Sequence, residues 1–319
     1  MKLPKFLLGA AMAALLGQPA LAEYPDKPIE LIVAFAPGGG TDVAARSVAL
    51  FMEKHLGDGA SIAVINKPGA GGELGWTALS QGKPDGYTIG MINPPSFVAL
   101  TVEGKAKYKL QDFQMIGNIV LDPGILVVGK DSPYKTLDDL MAASKAAPGA
   151  IVVGTSGAAG SSEHIGILNL NRSAGSSFTP AFFGSTAPVR QALLGGHIPA
   201  ATMNLSEALP LIRSGDIRLL GVMSLERSTY LPDAPTFKEQ GYDLVVTASR
   251  GLAAPAGTPP EMVEKLQAAL KAAMADPEYL KTAEAAEIPL AYLDATDYRA
   301  LLERMESELA ETWKVTPWR

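Results

Sequence analysis

The stretch Phe35-Ala36-Pro37-Gly38-Gly39-Gly40-Thr41-Asp42 joins an apolar run, Ile29 to Ala36, to the start of a helical pattern. Glycines there let the backbone turn sharply and let another molecule come close. Amide N–H groups at the head of the next helix then face open space, where the helix dipole favours negative charge. The chemistry on offer is anion binding by Ala36, Pro37, Gly38, Gly39 and Thr41, and an ordinary strand-to-helix turn is the plainer alternative. Thr41 or Asp42 reads as the helix cap, and the charge of Asp42 repels a carboxylate.

A second segment, Gly154 to His164, repeats the layout: Ser156, Gly157, Ser161 and Ser162 supply hydroxyls and amides before a helix. His164 falls in the first helical turn, where the dipole disfavours an imidazolium, so it reads either as a neutral ring donating one hydrogen bond or as a surface histidine with no role. A third segment, Phe183-Gly184-Ser185-Thr186, also precedes a helix; Phe183 either closes over a ligand or belongs to the core. Asn93 and Asn204 each follow a strand, placed either to meet a ligand or to serve a turn or cap. Arg250 is the one charged anchor: its guanidinium either clamps a carboxylate with two parallel bonds or pairs with an acid between lobes.

Catalytic patterns are scarce. The chain has no G-x-S-x-G elbow and no H-E-x-x-H, and its three histidines, His55, His164 and His197, are too dispersed to suggest a metal triad. A Ser156/His164 hydrolase is the best enzyme reading and a weak one; no catalytic residue, cofactor or metal is expected. The Asn66–Gly75 segment is glycine-rich but has Leu74 where G-x-G-x-x-G needs its last glycine, so it reads as structural.

These groups need a scaffold. Near-continuous apolar runs at 29–36, 61–65, 88–92, 125–128, 151–154, 200–203 and 219–223 read as strands covered on both faces. Helical patterns at 42–56, 74–81, 137–146, 163–171, 187–194 and 206–214 alternate with them, which is the layered α/β arrangement. Pro259-Pro260-Glu261 opens a further helix, and 297–313 carries one apolar stripe. Leu121–Gly124 and Val246–Gly251 lack strong periodicity and read as two crossings between lobes.

At the N-terminus, Lys2 and Lys5, the apolar Phe6–Leu16 and Ala20-Leu21-Ala22 form an export signal with cleavage expected after Ala22, giving a periplasmic chain. Without Lys2 and Lys5 the count is 25 basic against 33 acidic residues. Such a balance excludes nucleic acid as a partner and leaves an anion to be held by local donors. The absence of cysteine excludes thiolate metal sites and a thiol nucleophile.

Six stretches together resemble the periplasmic solute-binding proteins of tripartite tricarboxylate transporters, the Bug or TctC family. They are Tyr24–Ile29, Phe35–Asp42, Asn66–Gly72, Pro84–Thr88, Ala234–Phe237 and Ala254–Pro259. The resemblance implies a two-lobed Venus-flytrap fold and a pocket to which 183–186 contributes. It implies capture of a di-, tri- or aromatic carboxylate, delivery to a membrane permease, and no catalysis. A sensor subunit presenting its ligand to a receptor kinase is the alternative role. A monomer is expected. The expected division is a signal at 1–22, one domain from 23–122 plus 250–319, and a second from 123–249.

Overall fold

The computed structural model describes residues 24–318. The expected export signal and its cleavage site lie outside the described residues.

The first lobe begins with β1 (Ile29–Val33), α1 (Gly40–Leu56), β2 (Ile62–Asn66), α2 (Glu73–Ser80), β3 (Thr88–Ile92) and α3 (Ser96–Val102). A long strand, β4 (Phe113–Gly129), carries the chain into the second lobe. There follow α4 (Leu137–Ala146), β5 (Ile151–Thr155), α5 (Ser162–Ser173), β6 (Phe178–Phe182), α6 (Thr186–Leu194), β7 (Ala200–Asn204), α7 (Leu205–Arg213) and β8 (Ile217–Val222). The chain returns through β9 (Thr247–Pro255) and closes with α8 (Pro260–Met274), α9 (Pro277–Ala285), β10 (Leu290–Leu293) and α10 (Ala295–Val315).

Two sheets share β4. The first runs β2-β1-β3-β9-β4-β10, with β1 parallel to both its neighbours and β9 antiparallel between β3 and β4. The second runs β8-β4-β7-β5-β6, with β5 parallel to both its neighbours. The change of partner falls at Pro123, the last β4 residue registered with β9, opposite Thr247. Proline has no N–H to give a ladder, so a strand can change neighbours there without orphaning a donor. Gly124 N–H already donates to Val246 and its carbonyl accepts from Met223. Both faces of each sheet are packed: Leu31, Val48 and Leu270 lie in one cluster and Trp76, Phe97 and Tyr298 in another, while Leu126 with Ile167 and Val127 with Leu209 do the same in the second lobe.

The expected strands and helices are present, with three corrections. The run read as a strand to Ala36 ends at Val33, because the chain is already turning outward at Phe35–Gly38. The two crossings are themselves strands: Ala/Gly-rich β9 and the Pro-Gly step of β4 carry weak strand propensity, and tertiary pairing overrides it. The N-cap of α1 is Gly39, with no side-chain cap bond, so neither Thr41 nor Asp42 caps that helix.

Candidate functional site

Four helix starts meet where the lobes face each other. They follow the carboxyl ends of parallel strands, the place where open α/β sheets bind ligands. In the first lobe, Ala36–Gly39 are exposed and Gly40 and Thr41 begin α1. Gly38 N–H donates to Asp42 Oδ2 (2.9 Å), so Asp42 folds back on the loop. Asn66 Nδ2 donates to Phe35 O (3.0 Å) and Asp42 Oδ1 (2.8 Å), tying β2 to the same turn. Burial would raise the Asp42 pKa, but Arg46, the Gly38 amide and Asn66 outweigh it and hold the carboxyl below its usual value. Asn93 Nδ2 donates to Thr41 Oγ1 (2.8 Å), and its Oδ1 is shielded from solvent without a partner.

The second-lobe loop is built differently. Ser161 caps α5 by accepting from His164 N–H (3.4 Å). Ser156 Oγ donates to Glu163 Oε1 (2.8 Å) and Ser162 Oγ to Glu163 Oε2 (3.2 Å), so these hydroxyls already serve an acid. Gly157 O accepts from Thr155 Oγ1 (3.0 Å). His164 Nδ1 accepts from Gly160 N–H (3.1 Å), which leaves the proton of the neutral ring on Nε2. Burial pushes the imidazole pKa down to about 4, so it is neutral as expected. Ser156 Oγ donates to Glu163 and not to the ring, so the geometry of a Ser–His nucleophile is not formed. The His164 ring stands edge-on to Phe182, 4.9 Å between centroids, and Phe182 is the exposed aromatic here. Phe183 packs into the core beside Gly154 instead.

Asn204 stands at the N-cap of α7 without a side-chain cap bond, and its Oδ1 lies 3.5 Å from Ser162 Oγ. Ser185 holds the same position on α6, exposed and also without a cap bond. Arg250, on β9, is buried and already paired: Nη1 donates to Asp122 Oδ2 at 3.2 Å. The second-lobe Ser206 donates both its amide and its hydroxyl to the same Asp122. The plainer reading of Arg250, an ion pair between the crossings, is therefore realised. Its Nη2 still faces α1, since a Cβ added at Gly40 would lie 3.1 Å from it.

The acids were missed. Asp122, Glu163 and Glu207 crowd this space, and the first lobe adds Asp42 at its own turn. Glu207, in the first turn of α7, is half-buried as a residue, but its Oε2 reaches neither solvent nor a partner. A Cβ at Gly40 would sit 3.6 Å from its Oε1. Burial, reinforced by Glu163 and Asp122 against Arg250 and Thr186, pushes Glu207 up to about 7. A buried carboxylate charge is costly, so the group keeps its proton up to about neutral pH. Arg190 is a further missed residue: its Nε is buried without a partner, one helical turn beyond Thr186 on α6. A single acid in a first turn looks in sequence like an ordinary dipole partner, so only the assembled fold reveals the cluster.

A separate hollow of about 350 Å³ lies behind β4, lined by Leu121, Pro123, Tyr230 and Ile288. Side chains alternate along a strand, so these neighbours of Asp122 face away from the helix starts, and the hollow is distinct from the cleft. Among the described residues, no group of His, Asp and Glu side chains is arranged to hold a metal ion, and no helix is long and apolar enough to cross a membrane.

The model of the tripartite tricarboxylate transporter family receptor matches residues 44–310. The UPF0065 protein of the gbd 5′ region of Cupriavidus necator is 33% identical over 288 residues, covering 90% of this chain and 86% of that protein. Protein BugT of Bordetella pertussis is 34% identical over 266 residues, covering 81% and 78%. A TctC solute-binding protein from Polaromonas superposes with a TM-score of 0.76 at 33% identity, over 92% of this chain and all of that one. MatC of Rhodopseudomonas palustris, solved with bound malate, superposes at 0.79 with 28% identity, over 91% and 99%. The chain belongs to the tripartite tricarboxylate transporter receptor family, the TctC or Bug solute-binding proteins, with their two-lobed fold.

Proposed function

We propose that the protein is a periplasmic solute-binding protein that captures a small organic carboxylate and hands it to the membrane permease of a tripartite tricarboxylate transporter. Its role is binding, without catalysis and without a cofactor. The lobes are taken as 23–122 with 250–319, and 123–249. The observation that carries this reading is the convergence of α1, α6 and α7, none with a side-chain cap bond, on one interlobe space. Helix starts offer N–H donors and a favourable dipole to an anion. A carboxylate is held there by the first turns of α1 and α6, by Thr41 and Asn93, and by the outer nitrogen of Arg250. The malate in MatC is of the same chemical class.

A thermal-shift panel of mono-, di- and tricarboxylates on the chain lacking residues 1–22 tests this. A ligand at about 100 times its Kd stabilises the folded state by about 2.7 kcal/mol, a readily measured rise in Tm. Small-angle scattering at saturation is expected to show compaction as the lobes close. A melting temperature unmoved by every acid would overturn the reading.

A further inference from the structure

Glu207 stands at the boundary between the lobes. It lies in the first turn of α7 in the second lobe, and Gly40, at the head of α1, closes over it from the first. A Cβ added at Gly40 would lie 3.6 Å from Glu207 Oε1 and 3.1 Å from Arg250 Nη2, so the α1 backbone is the wall on that side. Enclosed in this way, Oε2 meets neither solvent nor a hydrogen-bond partner. The cation facing it, Arg250 from β9, is already paired with Asp122 from β4. Glu163 from α5 adds like charge, and Thr186 from α6 adds one hydroxyl. Asp42 of α1 is turned away, onto Gly38 and Asn66. A charged carboxylate in this place is disfavoured twice, by the loss of water and by the neighbouring acids.

The enclosure depends on the lobes. Gly40 belongs to one and Glu207 to the other, with the β4 and β9 crossings between them. Parting the lobes about those crossings withdraws the α1 wall and returns water to the carboxylate. We infer that Glu207 is a proton-binding site that fills as the lobes close: capture of a solute takes up a proton from water onto this carboxylate, and opening gives it back. The inference rests on the solute-capture reading above and adds a proton to what is captured, without requiring the solute to touch Glu207. The direction follows from the two environments. Enclosed, the group titrates at about 7, and in water it returns toward the ordinary 4.5. The closed form therefore binds more protons over the range between, and closure strengthens as the pH falls through 7.

Calorimetry of malate, succinate, adipate and citrate at pH 6.5, each in two buffers of different ionisation enthalpy, counts the protons taken up per molecule bound. The chain lacking residues 1–22 is expected to take up about 0.7 of a proton more than its Glu207→Gln variant. The comparison cancels the protons of the acids themselves and of His164, which both proteins share. From pH 6 to pH 8 the affinity of the unsubstituted chain is expected to fall about tenfold relative to Glu207→Gln. Difference infrared spectra on adding the acid at pH 6.5 are expected to show a new protonated-carboxyl band, lost at pH 8.5 and missing from the variant. Equal proton uptake by the two proteins overturns the inference and leaves the solute-capture reading intact. A protonated-carboxyl band already present before the acid is added also overturns it, because the enclosure then owes nothing to closure. Should Glu207→Gln not fold, the infrared spectra of the unsubstituted chain at the two pH values decide. Failure of all four acids to bind overturns both readings.

Discussion

The β1–α1 and β5–α5 turns share one sequence plan, a strand running through glycines into a helix, yet the fold uses them differently. The β1–α1 turn is exposed and its helix has no side-chain cap bond; it is steadied from beneath by Asp42 and Asn66. The β5–α5 turn is buried at Ser156, Gly160 and Ser161, capped by Ser161, and reaches across to the other lobe. A Cβ added at Gly160 would lie 2.7 Å from the Ala99 Cβ on α3 and 3.3 Å from Trp318 Nε1. Ile165, one turn further on, is buried in the first lobe's cluster with Phe97 and Leu302. One turn therefore leaves most of its donors available, while the other makes one of the contacts between the lobes. Similar glycine patterns do not imply similar work.

The sharpest way to break this contrast is Gly160→Ala. The residue sits at φ +80° and its new methyl would collide with Ala99, so both strain and closure are affected. We expect ligand affinity to fall more than tenfold by calorimetry, with scattering showing less compaction. Gly38→Ala at the same φ meets open space and is expected to cost only about 1 kcal/mol of stability in urea melts, with closure retained. Equal effects of the two substitutions would erase the distinction.

Proton linkage separates regions of the cleft in the opposite direction. His164, at about 4 when folded against 6.5 ordinarily, contributes stability that is whole above pH 6.5 and lost as the pH falls through 4. His164→Gln should flatten that acid limb, by up to about 3 kcal/mol, in melts run between pH 4 and 7. Glu207, at about 7 against 4.5, does the reverse: its stabilising proton is fully held below pH 4.5 and lost as the pH rises through 7. Glu207→Gln should therefore raise the Tm of the unliganded protein at pH 8, by the equivalent of up to about 3 kcal/mol, and leave it little changed at pH 4.5.

The smallest effect is expected at Asp42. Its partner Arg46 is half-exposed, and exposed ion pairs are worth about 0.2–1 kcal/mol. Asp42→Asn should lower stability by about 1 kcal/mol in urea melts while sparing the fold of α1. A much larger loss would mean that the first turn is as tightly bound into its lobe as the second.

The α/β layering and the first turn were legible because Ile29–Val33 is continuously apolar and Gly38–Gly40 follows at once. The neutral state of His164 was expected from the dipole of a first helical turn, but burial is what lowers its pKa, and its Nδ1 accepts a hydrogen bond where a donating ring was expected. The strand character of β9 was not, since Thr247–Pro255 is rich in alanine and glycine and owes its form to β3 and β4 on either side. Phe182 and Phe183 were indistinguishable in sequence, because a one-residue alternation decides which ring faces the cleft. The acids Asp122, Glu163 and Glu207 lie 41 or more residues apart in pairs drawn from different elements, counting from Asp122 to Glu163 and from Glu163 to Glu207. No local pattern links them.

Trp318 donates to Glu103 and stacks edge-on with Trp313, 4.7 Å between centroids, beside the point where Gly160 arrives from the other lobe. The remaining tryptophan, Trp76, is enclosed deep in the first lobe. Indole emission responds to a change in its polar surroundings, so this pair is a native optical gauge: its signal should follow the opening and shutting of the jaws without any attached dye.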